Sequence, residues 1–217
     1  MSDQAKPCIH DYDLNWDPNL PNNPDEILCA NVANVVSWVL KNKMRLIMRP
    51  KMVNITFTTI PDQYDEDDNV KRVLGFARGG PVPEEGRAPN NVDISIDINQ
   101  SHFEVTQTAV HEMCHAVQMF EKRLYSSRIG TGKDGILNIW NGRAFSTRKM
   151  KYENWPWEVE ARKMETEWIR EYMAWAEEEA RKAREKFEAE QAELNRQQAE
   201  AEALAARGGV DELEFEA

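Results

Sequence analysis

The sequence predicts an α+β protein in which a helix, short strands, a second helix, a hairpin and a long final helix follow one another. Three observations predict this class. Apolar residues recur at helical spacing from Ile27 to Leu40. Apolar and polar residues alternate from Val92 to Ile98, as in a half-buried strand. Neither Gly nor Pro interrupts the segment from Trp157 to Arg207, so one helix can run through it.

Composition narrows the class of protein. The 217 residues suffice for one domain with a buried core and leave room for an appendage. The net charge of −11 gives no basic footprint, so we expect no nucleic-acid partner. No apolar run approaches the roughly 20 residues that cross a bilayer, and the first residues lack a signal-peptide core, so we expect a cytoplasmic protein without a membrane partner. Three unpatterned cysteines fit a reducing compartment.

The first elements can be placed from local patterns. Residues 1–24 are rich in Pro, Asn and Asp and are expected to form an irregular N-terminal arm, with Trp16 holding it to the domain. Asp25 is a suitable N-cap for a helix that ends near Lys43. Strands are predicted at Met52 to Ile60, Val70 to Ala77 and Asn91 to Asn99.

The helix predicted from Ser101 or His102 to Tyr125–Arg128 carries the pattern H-E-x-x-H, as His111-Glu-Met-Cys-His115. Positions i and i+4 lie on one face of a helix, so two imidazoles can reach one metal ion. Glu112 then lies beside the open coordination position, where a general base is needed. The alternative is a buried helix with two core histidines. Cys114 is interpreted as a small core residue.

A third metal ligand must come from elsewhere in the chain. No His follows His115, so a carboxylate remains. Glu158 and Glu160 lie in the first turn of the final helix, behind Trp155 and Trp157. The two side chains point about 200° apart around the helix axis, so only one of them can readily reach the metal. His102 lies about two and a half turns before His111, too far to share the ion.

The last third of the chain is predicted as a hairpin and a projecting helix. Asn141-Gly142 between two strand-like runs is typical of a tight hairpin. We divide the remainder into a domain at 25–175, a charged helix at 176–207, which Gly208 and Gly209 end, and an acidic tail at 208–217. Phe187 and Leu194 are one heptad apart, so weak coiled-coil self-association is the alternative to a single helix.

The H-E-x-x-H helix, the Trp140–Gly142 hairpin and the segment from Tyr152 to Ala161 resemble small zinc metallopeptidases of the zincin superfamily, on its glutamate-ligand (gluzincin) side. They are similar to compact SprT-like and phage-encoded domains over roughly residues 25–175. The resemblance implies a small mixed sheet, Zn²⁺, and Glu158 as third ligand, because Glu158-Val-Glu-Ala161 matches a Glu-x-x-Ala pattern. The His-type third ligand or C-terminal zinc ribbon that SprT-like proteins often carry does not occur in this sequence.

The expected function is zinc-dependent hydrolysis of peptide bonds in a protein or peptide substrate, in the host cytoplasm if the chain is phage-encoded. Glu112 is expected to act as general base. Tyr152 is the first candidate to stabilise the carbonyl oxygen, followed by Tyr125 and His102. The strand Val92–Ile98 is expected to be the sheet edge against which the substrate lies. A non-catalytic zinc-binding scaffold and a hydrolase of a non-protein amide, such as a cell-wall crosslink, are the alternatives.

Overall fold

The computed structural model describes residues 11–20, 25–44, 51–64, 70–79, 88–128, 136–146 and 150–211. These residues form a mixed α+β structure, which confirms the predicted class. Among them, no helix combines the length and the apolar character needed to cross a membrane. The chain divides into two compact units, one ending at Arg170 and the other beginning at Glu171.

The main sheet has four strands in the order β1 (Asp11–Trp16), β2 (Met52–Thr58), β6 (Asn91–Asp97) and β5 (Gly75–Gly79). The first three are parallel, and β5 runs antiparallel to β6. The expectation that Val92–Ile98 forms the sheet edge is therefore wrong, because β6 is paired on both sides. In the described part of the chain, β5 is the edge strand on this side of the sheet.

One face of the sheet carries the core. Alternate residues of β2 and β6 point to this face and are buried, as the alternation in the sequence predicts: Val53, Ile55, Phe57, Val92, Ile94 and Ile96. Two helices contact each other over it, α1 (Glu26–Asn42) and α2 (His102–Phe120), and α2 also contacts β5 and β6. Asp25 caps α1 by accepting a hydrogen bond from the backbone N–H of Leu28, as predicted.

Part of the predicted irregular arm is ordered, because β1 joins the sheet in parallel register with β2. Tyr12, Leu14 and Trp16 are half-buried and alternate with exposed polar residues. Trp16 packs against Phe57 with ring centroids 5.7 Å apart. The Pro- and Asn-rich composition of the following residues obscured this short alternation. Residues 1–10 of the arm lie outside the described residues.

The strand predicted from Val70 to Ala77 is two strands. Val70–Lys71 forms β4, which pairs with β3 (Gln63–Tyr64), and Gly75–Gly79 forms β5 of the main sheet. Between them Arg72 makes an ion pair with the buried carboxylate of Asp97 at 3.8 Å. The chain therefore passes from one sheet to the other where a continuous strand was expected.

The motif helix α2 ends at Phe120, several residues before the predicted end. Lys122 has a φ of 61°, and the backbone N–H of Arg123 donates to the carbonyl of Gln118 at 2.8 Å. The N–H of Lys122 donates to the carbonyl of Met119 at 3.0 Å, which completes a Schellman motif. This C-cap normally uses Gly. With Lys at the left-handed position, the sequence carries no signal for the end of the helix.

The residues after this cap form a second, antiparallel sheet of β7 (Leu124–Arg128), β8 (Ile136–Trp140) and β9 (Arg143–Phe145). Asn141 and Gly142 connect β8 to β9 with φ values of 48° and 77°. Two successive positive values are the geometry of a type I′ turn, which Asn-Gly favours. The predicted hairpin is confirmed.

The final helix, α3, runs from Pro156 to Asp211. The prediction that Gly208 and Gly209 end it is wrong. Glycine costs roughly 1 kcal/mol relative to Ala inside a helix, but its backbone can still adopt helical angles. Residues 212–217 of the predicted acidic tail lie outside the described residues. Every side chain from Arg181 to Ala205 is exposed, and i,i+3 and i,i+4 ion pairs recur along this part of the helix.

We expect a protein truncated after Trp175 to remain folded, because the exposed helix that follows buries little apolar surface. Its thermal midpoint should stay within a few degrees of the full chain. Circular dichroism should show loss of helical signal in proportion to the residues removed. Aggregation of the truncated protein, or loss of a cooperative transition, would show that the removed helix is needed for folding.

Candidate metal centre

The two histidines of the motif are brought together by α2. Ser101 caps this helix in a capping box with Glu104, which fixes where the helix begins. His111 and His115 lie one turn apart on the same face, with ring centroids 4.8 Å apart. Their Nε2 atoms are separated by 3.2 Å. Both imidazoles thus direct the same nitrogen toward one point.

The first turn of α3 brings a carboxylate to the same point. A 3-10 turn at Tyr152–Asn154 leads into Pro156, and the buried ring of Trp157 packs among Trp155, Trp140 and Phe145. This packing holds the turn in place. The buried side chain of Glu158 places Oε2 3.4 Å from Nε2 of His111 and Oε1 3.3 Å from Nε2 of His115.

These three side chains fit a divalent metal ion. They form a group whose ligand atoms lie within 4.8 Å of one another. In a tetrahedral site with bonds of about 2.0–2.1 Å, two ligand atoms are about 3.3 Å apart, which matches the Nε2 and carboxylate separations above. In addition, Oε2 of Glu158 is buried and has no hydrogen-bond partner. A buried acceptor without a donor is costly, and a cation would satisfy it.

The outer nitrogen of His111 is held by a carboxylate. Nδ1 of His111 is 2.9 Å from Oε2 of Glu165, whose other oxygen accepts a hydrogen bond from Gln107 at 2.7 Å. A carboxylate behind a histidine fixes the ring orientation and the tautomer that leaves Nε2 free to bind metal. Glu165 was missed in the sequence, although it lies seven residues after Glu158 and therefore on the same face of α3.

The outer nitrogen of His115 is held by an amide. Nδ1 of His115 is 2.9 Å from Oε1 of Gln118. The Nε2 of Gln118 donates to Glu160 at 3.0 Å, and Glu160 also accepts from Arg123. Glu160 therefore points away from the three candidate ligands, as the opposed directions of the two glutamates require. The role of Gln118 was also missed, although three residues after a histidine is a contact spacing on a helix.

The carboxylates set the charge state of this cluster. Burial lowers the pKa of His111, but Glu158, Glu165 and Glu112 outweigh it and raise the value to about 10. Burial also opposes protonation of His115, yet Glu158 and Glu112 raise its pKa. Burial alone would raise the pKa of Glu158, but His111 and His115 outweigh this effect and lower the pKa to about 2. Glu158 is thus an anion throughout the physiological pH range, as a metal ligand should be.

Glu112 lines a cleft of about 690 Å³. It is buried, and this desolvation raises the pKa of its carboxyl group despite the nearby histidines. Gly75 of β5 lies directly against it. A Cβ added at Gly75 would lie 2.6 Å from Cγ2 of Thr108 and 3.2 Å from Cγ of Glu112. The edge strand therefore contacts the motif helix where only a glycine fits.

The three candidates for carbonyl stabilisation lie in different places. Tyr152 lines the cleft and interacts with the carboxylate of Glu158. Burial and the charge of Glu158 raise the pKa of Tyr152 well above its usual value, so its hydroxyl stays protonated. His102 contacts Asp25 at 2.9 Å, and Tyr125 pairs with Ile139 in the second sheet. Neither of these two lines the cleft. Cys114 is buried in the core, as expected.

We expect Glu158→Ala to weaken metal binding far more than Glu160→Ala. The first substitution removes a ligand atom, whereas the second removes only a contact to Gln118 and Arg123. The predicted loss for Glu158→Ala exceeds the roughly 10–100-fold typical of outer contacts. Competition with a chromophoric chelator measures both affinities. Equal losses, or the reverse order, would contradict the assignment of Glu158.

Comparison of the chain with protein-family models, curated proteins and solved structures gives no match. The geometry of the cluster and the cleft therefore carries the functional argument.

Proposed function

We propose that this protein is a zinc-dependent metallopeptidase of the gluzincin type, with a zincin-like domain. The observation that carries the proposal is the convergence of three ligand atoms, from His111, His115 and Glu158, beside a cleft that Glu112 lines. The order of elements supports the zincin-like assignment: α1, a mixed sheet with an antiparallel edge strand, the H-E-x-x-H helix, and a helix that bears Glu158.

His111, His115 and Glu158 would hold the metal, with Glu165 and Gln118 behind the two imidazoles. Two nitrogens and one carboxylate suit zinc and leave a coordination position open, although this donor set also accepts other divalent transition metals. Zinc bound there supplies a Lewis acid that polarises a carbonyl group and makes water acidic near neutral pH.

Glu112 is proposed as the general base. Its carboxylate takes a proton from the attacking water and returns it to the nitrogen of the leaving amine. Burial raises the pKa of Glu112 toward the working pH, which favours a group that must both accept and release a proton. A site that only held metal would have no use for this carboxylate.

Tyr152 is proposed to stabilise the negative charge that develops on the carbonyl oxygen of the substrate. Its hydroxyl remains protonated because its pKa is raised, and it borders the cleft together with Glu112. Packing against Trp155, with ring centroids 4.9 Å apart, holds the ring in place. The edge strand β5 forms another wall of the cleft and can add an extended peptide through its backbone.

The test is a cleavage assay with zinc and with a chelator. An unstructured protein such as casein, a mixture of peptides, and cell-wall fragments should be compared, with products identified by mass spectrometry. Zinc-dependent cleavage of peptide bonds in casein or the peptides supports the proposal. Cleavage of the cell-wall fragments alone would favour the non-protein amide hydrolase.

A metal-binding scaffold is the second candidate. It is favoured by the exposed apolar side chains along the charged part of α3, Phe187, Leu194 and Leu204, which are available to a partner or to a second copy of the chain. A scaffold needs zinc but no base, so the behaviour of Glu112 separates it from an enzyme.

We expect Gly75→Ala to lower turnover while leaving metal content unchanged. The three atoms nearest to the added methyl group belong to Thr108, Ser95 and Glu112 and not to a candidate metal ligand, so we expect it to displace the base relative to the cluster. A displacement of about 1 Å in an active site can cost roughly 100-fold in rate. Parental activity with this substitution would show that the edge strand does not fix the position of Glu112.

A further inference from the structure

Gln118 makes hydrogen bonds to three groups around the candidate metal centre. It is fully buried. Its Oε1 lies 2.9 Å from Nδ1 of His115. Its Nε2 lies 3.0 Å from the carbonyl oxygen of Trp157 and 3.0 Å from Oε2 of Glu160. The amide thus connects the motif helix to the first turn of α3, the turn that also carries Glu158.

The surroundings allow only one orientation of this amide. A backbone carbonyl and a carboxylate can only accept hydrogen bonds, so the nitrogen of Gln118 must face Trp157 and Glu160. Its oxygen must then face His115 and accept the proton of Nδ1. With that proton on Nδ1, the lone pair of Nε2 in the neutral ring is left for a metal.

Arg123 anchors the far end of this chain of contacts. Its guanidinium contacts Glu160, donates to Glu121 at 2.7 Å and lies 5.6 Å from the ring of Trp140. Arg123 directly follows the cap that ends α2, so its backbone position is fixed. We call the series Arg123–Glu160–Gln118–His115 the relay.

We propose that Gln118 is a positioning residue of the metal centre, acting through the relay on both His115 and Glu158. The relay fixes the tautomer of His115 and holds the turn that presents Glu158. The inference rests on the metal centre of the proposed function, but it assigns a role to residues that touch neither metal nor substrate. It also distinguishes the two histidines, since His111 is held by a charged carboxylate and His115 by a neutral amide.

The first experiment replaces Gln118 with Met, which has similar length but no acceptor for Nδ1 of His115. Zn²⁺ and Co²⁺ affinities of the full chain are measured by competition with a chelator, and the absorption spectrum of Co²⁺ reports the ligand geometry. We expect both affinities to fall about 10–100-fold, as for other outer contacts of metal-binding histidines. Gln197→Met, the same change at an exposed position of α3, should leave them unchanged.

The second experiment exchanges the amide and the carboxylate of the hydrogen bond between Gln118 and Glu160. Gln118→Glu alone places two carboxylates together and should weaken metal binding. Adding Glu160→Gln restores a donor to the new carboxylate and keeps an acceptor for Arg123, but the carbonyl oxygen of Trp157 stays without its donor, so the double variant should recover only part of the lost affinity. A role in core packing alone predicts no such recovery, because both variants with Glu at 118 have the same shape.

The outcomes separate this inference from the proposed function. If the parent chain binds neither Zn²⁺ nor Co²⁺, both this inference and the proposed function are wrong. If the parent binds them and Gln118→Met binds equally well, with the same Co²⁺ spectrum, the relay has no positioning role. If Gln118→Met fails to fold, the test passes to Arg123→Met and to the double variant Gln118→Glu with Glu160→Gln. The inference is overturned if Arg123→Met binds metal with parental affinity and the double variant shows no recovery.

Discussion

The double substitution His111→Ala with His115→Ala should abolish metal binding. The parent chain is expected to hold about one zinc per molecule, because a mononuclear site uses both imidazoles and one carboxylate. The double variant keeps only Glu158, whose carboxylate alone holds zinc weakly. Metal analysis after dialysis should therefore fall from roughly one zinc per chain to background.

Thermal unfolding gives an independent measurement of the same loss. A ligand present at about 1,000 times its dissociation constant stabilises the folded state by about 4 kcal/mol. Zinc should raise the unfolding temperature of the parent and leave that of the double variant unchanged. His102→Ala is the matched control, since His102 is on the same helix but contacts Asp25 rather than the cluster. Stoichiometric zinc in the double variant would show that His111 and His115 do not form the metal site.

The parts of the fold that the sequence predicts are those where local chemistry and burial agree. The alternation in β2 and β6, the cap at Asp25 and the turn at Asn141-Gly142 each have a local cause, and each occurs as expected. The end of α2 differs from the prediction, because Lys122 adopts a left-handed conformation that is usually found at Gly. The order of strands is not local either, so nothing in the sequence placed β5 rather than β6 at the edge.

In the candidate site, too, the sequence predicts the contacts that have a local cause and misses those that depend on packing. Spacing within one helix predicts that His111 and His115 lie together, and they do. The choice between Glu158 and Glu160 came from a resemblance, and the geometry places Glu158 beside the histidines and Glu160 beside Arg123. The contacts behind the histidines depend on how α2 and α3 pack. A sequence can show that Gln118 is near His115, but not that Trp157 and Glu160 fix its amide.

Glu112→Gln should separate an enzyme from a scaffold. The substitution keeps the size and shape of the side chain but removes its ability to accept and return a proton. Because Glu112 is not among the three ligand residues, the variant should bind zinc and melt like the parent. Its turnover should fall at least ~100-fold, the low end of general acid–base contributions.

The control for this substitution is Glu167→Gln, the same chemical change at an exposed position of α3. It should cleave at the parental rate, so a loss confined to Glu112→Gln reflects the position and not the residue type. Casein with added zinc serves as substrate, and a chelator-treated sample gives the background. Parental cleavage by Glu112→Gln would exclude this carboxylate as the base. If the parent binds zinc but cleaves none of the substrates, the scaffold is favoured instead. A scaffold needs the metal but has no use for a base.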